Sequence, residues 1–245
     1  MNKLGLIILA GGLSTRMGQP KALLSWVNGE SLISHALRKG LDADVEDILI
    51  SIGDDELVGH AIQTHIIDTL SNDEKEKVSI VRDSVERCGP LGALYSALAV
   101  GISAAYAVMA VDMPFMEMDL YYDWLYHVDH NDWNAIIPTG IKGKAEPMAG
   151  IYKPHIASLL PAILAGDDVS LHHALETIGH VVSVDAVAYG VELRNVNHYE
   201  DYLWARALAV NEHRRVPLIS VVASKRKTGK TTVVTRLVSE LQQAG

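Results

Sequence analysis

Apolar runs of strand length alternate with longer amphipathic stretches along this chain, and that alternation limits the fold more than any other feature. LGLIILA, EDILISIG, VSIVRDS, AAYAVMAVDMPF, WNAIIPT, PMAGIYK, HVVSVDA and ELRNVN have the length and composition of strands. Between them, ESLISHALRKGL, GALYSALAVGI, MDLYYDWLYHV, HIASLLPAILAG and SLHHALETIG place apolar residues near helical spacing. Strands alternating with helices form parallel crossovers buried on both faces, which accounts for the nearly continuous apolar strands. The expectation is an open, three-layer α/β sheet, mostly parallel and Rossmann-like, whose ligands bind beyond the carboxyl ends of the strands. A helix over HYEDYLWARALAVNEHRR closes this unit, giving a domain over residues 1–210. The acidic-basic patch NDEKEK reads as a solvated loop.

Directly after the first strand the chain runs LAGGLSTRMGQPKALL, residues 9–24. Gly11 and Gly12 sit at the strand's carboxyl end, where the lack of a Cβ lets backbone amides approach a ligand. Ser14 and Thr15 add hydroxyls, Arg16 a planar cation matched to phosphate oxygens, and Lys21 a mobile point charge. Every group in the loop donates, so it suits an anion. It is neither the dinucleotide G-x-G-x-x-G nor a P-loop, because no G-K-[ST] follows. The net charge of -9 argues against nucleic acid as the anion, since a phosphate backbone needs a broad basic footprint.

The pattern LAGGxSxRMGxxKALL is similar to the signature of nucleotidyltransferases that make activated sugars and dinucleotide cofactors. With LAGG, it resembles the molybdenum cofactor guanylyltransferases (MobA type). RDSVERCGPLGAL at 82–94, AVDMPF at 110–115 and RNVNHYEDY at 194–202 follow in that family's order. The resemblance spans about residues 1–208. It implies a magnesium-dependent transfer of GMP from GTP to Mo-molybdopterin, with release of pyrophosphate. It implies that Leu9, Ala10 and Gly11 contact the nucleotide, that Lys21 reaches its phosphates, and that Asp83 contacts the bound nucleotide. Gly11, Gly12 and Ser14 would cradle phosphates, with Arg16, Lys21 and Asp112 as the catalytic set.

Asp112, in VDMP, matches the family's magnesium-binding aspartate. A carboxylate at the end of an apolar strand is costly to bury without a balancing cation. Magnesium takes one or two carboxylates plus substrate phosphates. Asn195 and Asn197 match an N-x-N motif near the acceptor side, and Ser51 stands where the family has an asparagine. The alternatives are a cytidylyltransferase for the same cofactor, a sugar-phosphate nucleotidyltransferase, and a non-catalytic carrier of nucleotide or cofactor. LAGG in place of LAAG favours guanine. Molybdoenzymes or other cofactor-biosynthesis proteins are the implied partners.

Other signals are weaker. Cys88 is the single cysteine, which excludes an internal disulfide and suits a reducing cytoplasm. The first apolar run is too short for a signal peptide, and no run reaches the roughly 20 apolar residues of a membrane span. His127 with His130, and adjacent His172 and His173, lack further ligands for zinc. Tyr121, Tyr122, Trp124 and Tyr126 read as the packing face of a helix rather than a platform for bases. Within PLISVVASKRKTGKTTVVTRLVSELQQAG, the stretch SKRKTGKT resembles a Walker A loop with Ser224 in place of its first glycine. Gly229, Lys230 and Thr231 match, and the segment resembles the start of the MobB-type GTP-binding protein. Fourteen residues follow Thr231, too few for the remaining strands and a Walker B aspartate. The expectation for 216–245 is a truncated strand–P-loop–helix extension without NTPase activity.

Overall fold

The computed structural model describes residues 3–11, 20–53, 55–85, 88–128 and 132–214, apart from the side chains of 142 and 211–214. Segment 216–245, with Ser224, Gly229, Lys230 and Thr231, lies outside the described residues, as do Gly12, Ser14, Thr15, Arg16 and His130. Two compact units divide the chain at Met1–Ala205 and Arg206–Gly245.

The elements in chain order are β1 (Gly5–Leu9), α1 (Leu32–Asp42), β2 (Ile48–Ser51), α2 (Glu56–His65), α3 (Asn72–Glu76), β3 (Val78–Val81) and α4 (Gly89–Val100). They continue with β4 (Tyr106–Ala110), α5 (Met118–His127), β5 (Ala135–Thr139), β6 (Ile151–Tyr152), α6 (Leu160–Leu164), α7 (Leu171–Ile178), β7 (Val181–Asp185) and α8 (Tyr199–Arg214). The strands make one sheet in the order β3-β2-β1-β4-β6-β5-β7. All neighbours are parallel except those of β6, which runs antiparallel between β4 and β5. The expected mostly parallel α/β sheet is therefore present.

Local chemistry explains the boundaries. Ser31, Asp55 and Ser170 each accept a backbone N–H near the start of α1, α2 and α7, satisfying donors that a helix leaves open. NDEKEK is a correction: it forms α3, because Ser71 and Glu74 close a reciprocal capping box around its first turn. ELRNVN is a second correction. Leu193 N–H goes to Tyr189 O, Arg194 N–H to Val191 O and Val196 N–H to Asp112 O, so these donors close turns and one loop contact rather than a ladder. PMAGIYK contributes only the two residues of β6, preceded by a 3-10 turn at Pro147–Ala149. In HIASLLPAILAG, Pro161 stands in the first turn of α6 after a 3-10 segment, a position that needs no N–H from it.

Ile7, Leu9, Leu49 and Val81 of the sheet meet Leu91, Leu94, Ala97 and Leu98 of α4 in one buried cluster. The expected aromatic packing face of α5 holds for two of its four residues: Tyr121 and Trp124 are buried, with the Tyr121 hydroxyl donating to Val108 O at 2.6 Å, whereas Tyr122 is half-buried and Tyr126 is exposed. At the amino ends of the strands, buried Asp47 accepts from the Ser103 hydroxyl and, at 2.6 Å, from the Tyr106 hydroxyl. Burial, and then the bond to Asp47, raise the Tyr106 phenol well above its usual range. A side chain at Gly5 would collide with the Tyr106 ring at 2.2 Å.

Candidate active site

The sheet order reverses between β1 and β4, and the crevice beyond their carboxyl ends is where an open α/β sheet binds ligands. Leu9 ends β1 opposite Ser51 and Ala110, which end β2 and β4. Ala10 and Gly11, then Ser51, Asp83 and Asp112, therefore lie along one edge of the sheet.

Two groupings stand on that edge. In the first, the Lys21 ammonium donates to Asp112 Oδ2 at 2.7 Å and to Asn197 Oδ1 at 3.1 Å. Lys21 opens a 3-10 turn, Lys21–Leu23, immediately after Pro20. Asp112 lies two residues beyond β4, and its carbonyl accepts from Val196 N–H at 2.7 Å, which brings the N-x-N segment to the same place. The side chains of Lys21 and Asp112 are 21 % and 15 % exposed, so their pairing is largely shielded from solvent. Asp112 Oδ1 is fully buried and has no hydrogen-bond partner among the described residues. Asn195 Oδ1, in the adjacent segment, is in the same condition. A buried acceptor without a donor costs about 1–3 kcal/mol unless a ligand meets it.

In the second grouping, the Ser51 hydroxyl donates to Asp83 Oδ1 at 3.0 Å. Where the resemblance has a longer amide at position 51, the serine thus holds the neighbouring carboxylate. Gly11 and Gly53 meet beside them. A Cβ on Gly11 would lie 2.8 Å from Gly53 N, so position 11 has no room for a side chain, and Gly53 has φ of +63°, a backbone conformation that favours glycine there on its own account. The amides of Ala10 and Gly11 both donate to Ser51 O, at 2.8 and 3.0 Å. The Gly11 amide is therefore engaged within the fold, where this glycine permits close approach of the two strand ends.

The segment carrying Asp112 is braced from behind. Lys39 on α1 donates to Pro114 O and Met116 O, both at 2.7 Å, and pairs with Glu117 at 2.7 Å. His35, one turn earlier, places Nε2 at 3.1 Å from Pro114 O. Burial, and next the Lys39 charge, lower the His35 pKa, so the ring is neutral near pH 7. A neutral ring facing a carbonyl must carry its hydrogen on Nε2 to donate. The Phe115 ring stands between Trp26 and Trp204, with centroids 5.9 and 6.1 Å away, and Arg194 lies 3.9 Å over Trp204. Gly53, His35 and Lys39 escaped the motif analysis because each acts on residues distant in the chain.

Asp112 is a described carboxylate at this edge that could hold a metal. Among the described residues no group of three or more histidine, cysteine, aspartate or glutamate side chains is placed to hold an ion. The His127 ring instead faces the carbonyl of Asp123. A single carboxylate with an unmet buried oxygen fits magnesium, which completes its shell with substrate phosphates and water. No helix among the described residues is long and apolar enough to cross a membrane.

Comparison with known proteins agrees with this architecture. A probable molybdenum cofactor guanylyltransferase of Bacillus cereus is 28% identical over 209 residues, covering 84% of this chain and 97% of the relative. The crystal structure of molybdopterin-guanine dinucleotide biosynthesis protein A from Archaeoglobus fulgidus superposes with a TM-score of 0.69 at 19% identity, covering 85% of this chain and 100% of that one. A Mycobacterium tuberculosis protein solved in complex with manganese has the same fold, with a TM-score of 0.56 at 16% identity, over 84% of this chain and 98% of its own. The family described as MobA-like NTP transferase domain matches residues 6–181, nearly the whole strand-bearing part of the sheet, and the chain belongs to that family.

Proposed function

We propose that this protein transfers GMP from GTP to the terminal phosphate of Mo-molybdopterin, giving molybdopterin guanine dinucleotide and pyrophosphate. The observation that carries the reading is the meeting of Lys21, Asp112 and Asn197 at the sheet's switch point, with one buried Asp112 oxygen unmatched among the described residues. The names of relatives such as the Bacillus cereus protein support guanine and the molybdenum cofactor as substrates.

The acceptor phosphate attacks the α-phosphorus in line and pyrophosphate leaves, so no covalent bond to the protein is needed. Catalysis is then positioning and charge compensation. Lys21 offsets negative charge gathering on the leaving pyrophosphate, and Arg16 and Ser14 contribute from the loop before it. Leu9, Ala10, Gly11 and Gly12 border the nucleotide. Asp83, steadied by Ser51, accepts hydrogen bonds from it, and Asn195 and Asn197 face the acceptor. Asp112 would hold magnesium, and a bound magnesium would supply charge neutralisation to the phosphates.

Titration of the purified protein with GTP, CTP, ATP and UTP under equal magnesium tests the base. GTP should bind tightest; CTP binding as tightly would make the protein a cytidylyltransferase instead. Transfer belongs to residues 1–210. Removing 216–245 should leave it intact, and Lys230→Ala should leave one GTP site per chain by calorimetry.

A further inference from the structure

We propose that Lys39 is a positioning residue for Asp112, setting the loop that presents this carboxylate to the metal; this rests on the reading of Asp112 as the magnesium ligand. Residues 111–117 connect β4 to α5, and Pro114 and Met116 are buried there. Buried carbonyls need donors, and a connecting loop cannot supply them from a ladder. Lys39 supplies two of them at 2.7 Å and pairs with Glu117, also at 2.7 Å, through the same ammonium. Its side chain is 9 % exposed, far below what an ordinary surface lysine shows.

These contacts act on the backbone two and four residues beyond Asp112. On the other side of the loop, Val196 N–H fixes the Asp112 carbonyl at 2.7 Å. Within the loop, Met113 N–H returns to Ala110 O and Met116 N–H to Met113 O. The loop is thus gripped at both ends of its turn, by α1 and by the segment that bears Asn195 and Asn197. His35 adds a second donor to Pro114 O from the same face of α1. A carboxylate that gives a metal one oxygen depends on such supporting contacts for its direction. Loss of supporting contacts around metal ligands typically lowers metal affinity or activity about 10–100-fold.

The test is Mn2+ binding by electron paramagnetic resonance with GTP present and acceptor absent, beside steady-state turnover as magnesium is varied. Lys39→Met should weaken Mn2+ binding and raise half-saturating magnesium by roughly 10-fold or more, with KM for GTP changed little. Lys39→Arg, which keeps charge and donors, should recover most of the affinity. His35→Leu removes only the second donor, so its shift should be smaller and in the same direction. If Lys39→Met binds Mn2+ like the unmodified protein and is merely less heat-stable, Lys39 only supports the fold and the proposal is wrong. Should Lys39→Met not fold, unchanged Mn2+ affinity in His35→Leu is the overturning result. Asp112→Asn separates the two readings: if it keeps full Mn2+ affinity, the metal assignment itself fails, whatever the Lys39 variants do.

Discussion

Two acidic side chains sit at opposite ends of the same sheet and are treated in opposite ways. Asp47, before β2, has both oxygens engaged, one by the Ser103 hydroxyl and the other by the Tyr106 hydroxyl. Asp112, beyond β4, has one oxygen on Lys21 and the other buried without a partner among the described residues. Both are costly to place away from water, and among the described residues only the first has both oxygens met. The saturated carboxylate ties strands together. The unsaturated one retains capacity for something the described residues do not supply.

The contrast breaks most clearly at Asp112. Asp112→Asn should fold normally and lose about 3–4 kcal/mol of transition-state stabilisation, a drop of several hundredfold in kcat measured by product formation. Near-normal turnover would mean the unmatched oxygen has no part in the chemistry. Next in size is Tyr106→Phe, which strands one oxygen of Asp47. It should cost about 1–3 kcal/mol of stability in urea unfolding, with turnover per folded molecule unchanged. A kinetic defect there would erase the distinction between the two ends.

Smaller effects sharpen it further. His35, beside the Asp112 loop, has a lowered pKa, from burial first and then from Lys39, while Glu30 and the Pro114 carbonyl pull the other way. Below its ordinary value of 6.5 the unfolded chain takes up the proton more readily, so stability is full above that pH and falls beneath it. His35→Gln should therefore show less loss of melting temperature between pH 7.5 and 5.5 than the unmodified protein. Least of all should come from Asp44, an exposed carboxylate held down to about 2 by Lys3 and then Lys77. Its contribution is present above the ordinary 3.8 and lost as pH falls toward 2. Asp44→Asn should change stability little, and less still in high salt.

How much of this was legible depended on distance along the chain. The parallel strands were visible because each carries its own apolar run. β6 and ELRNVN were over-read, since apolar length says nothing about where backbone donors go. α2 was missed because only Val58, Gly59 and Ile62 of it are buried, too thin a stripe for a periodic signal. α3 has no buried residue at all and rests on its capping box. At the site, the motifs supplied Lys21, Asp112, Asn195 and Asn197 by resemblance, but no spacing rule could join them. The hold of Lys39 on Pro114 and Met116 was equally silent, as was the close approach of Gly11 to Gly53.

The hydrogen bonds of Lys21 bridge 91 residues to Asp112 and 176 to Asn197. During folding, contacts of such sequence separation form against a large loop-closure cost and come after local ones. Helices such as α3 can close while most of the chain is still unfolded, whereas this junction needs β1, β4 and the segment before α8 to have met. The catalytic edge is thus among the last parts of the molecule to come into being. On the proposed reading of this site, nucleotide binding would report on completed assembly as well as on substrate.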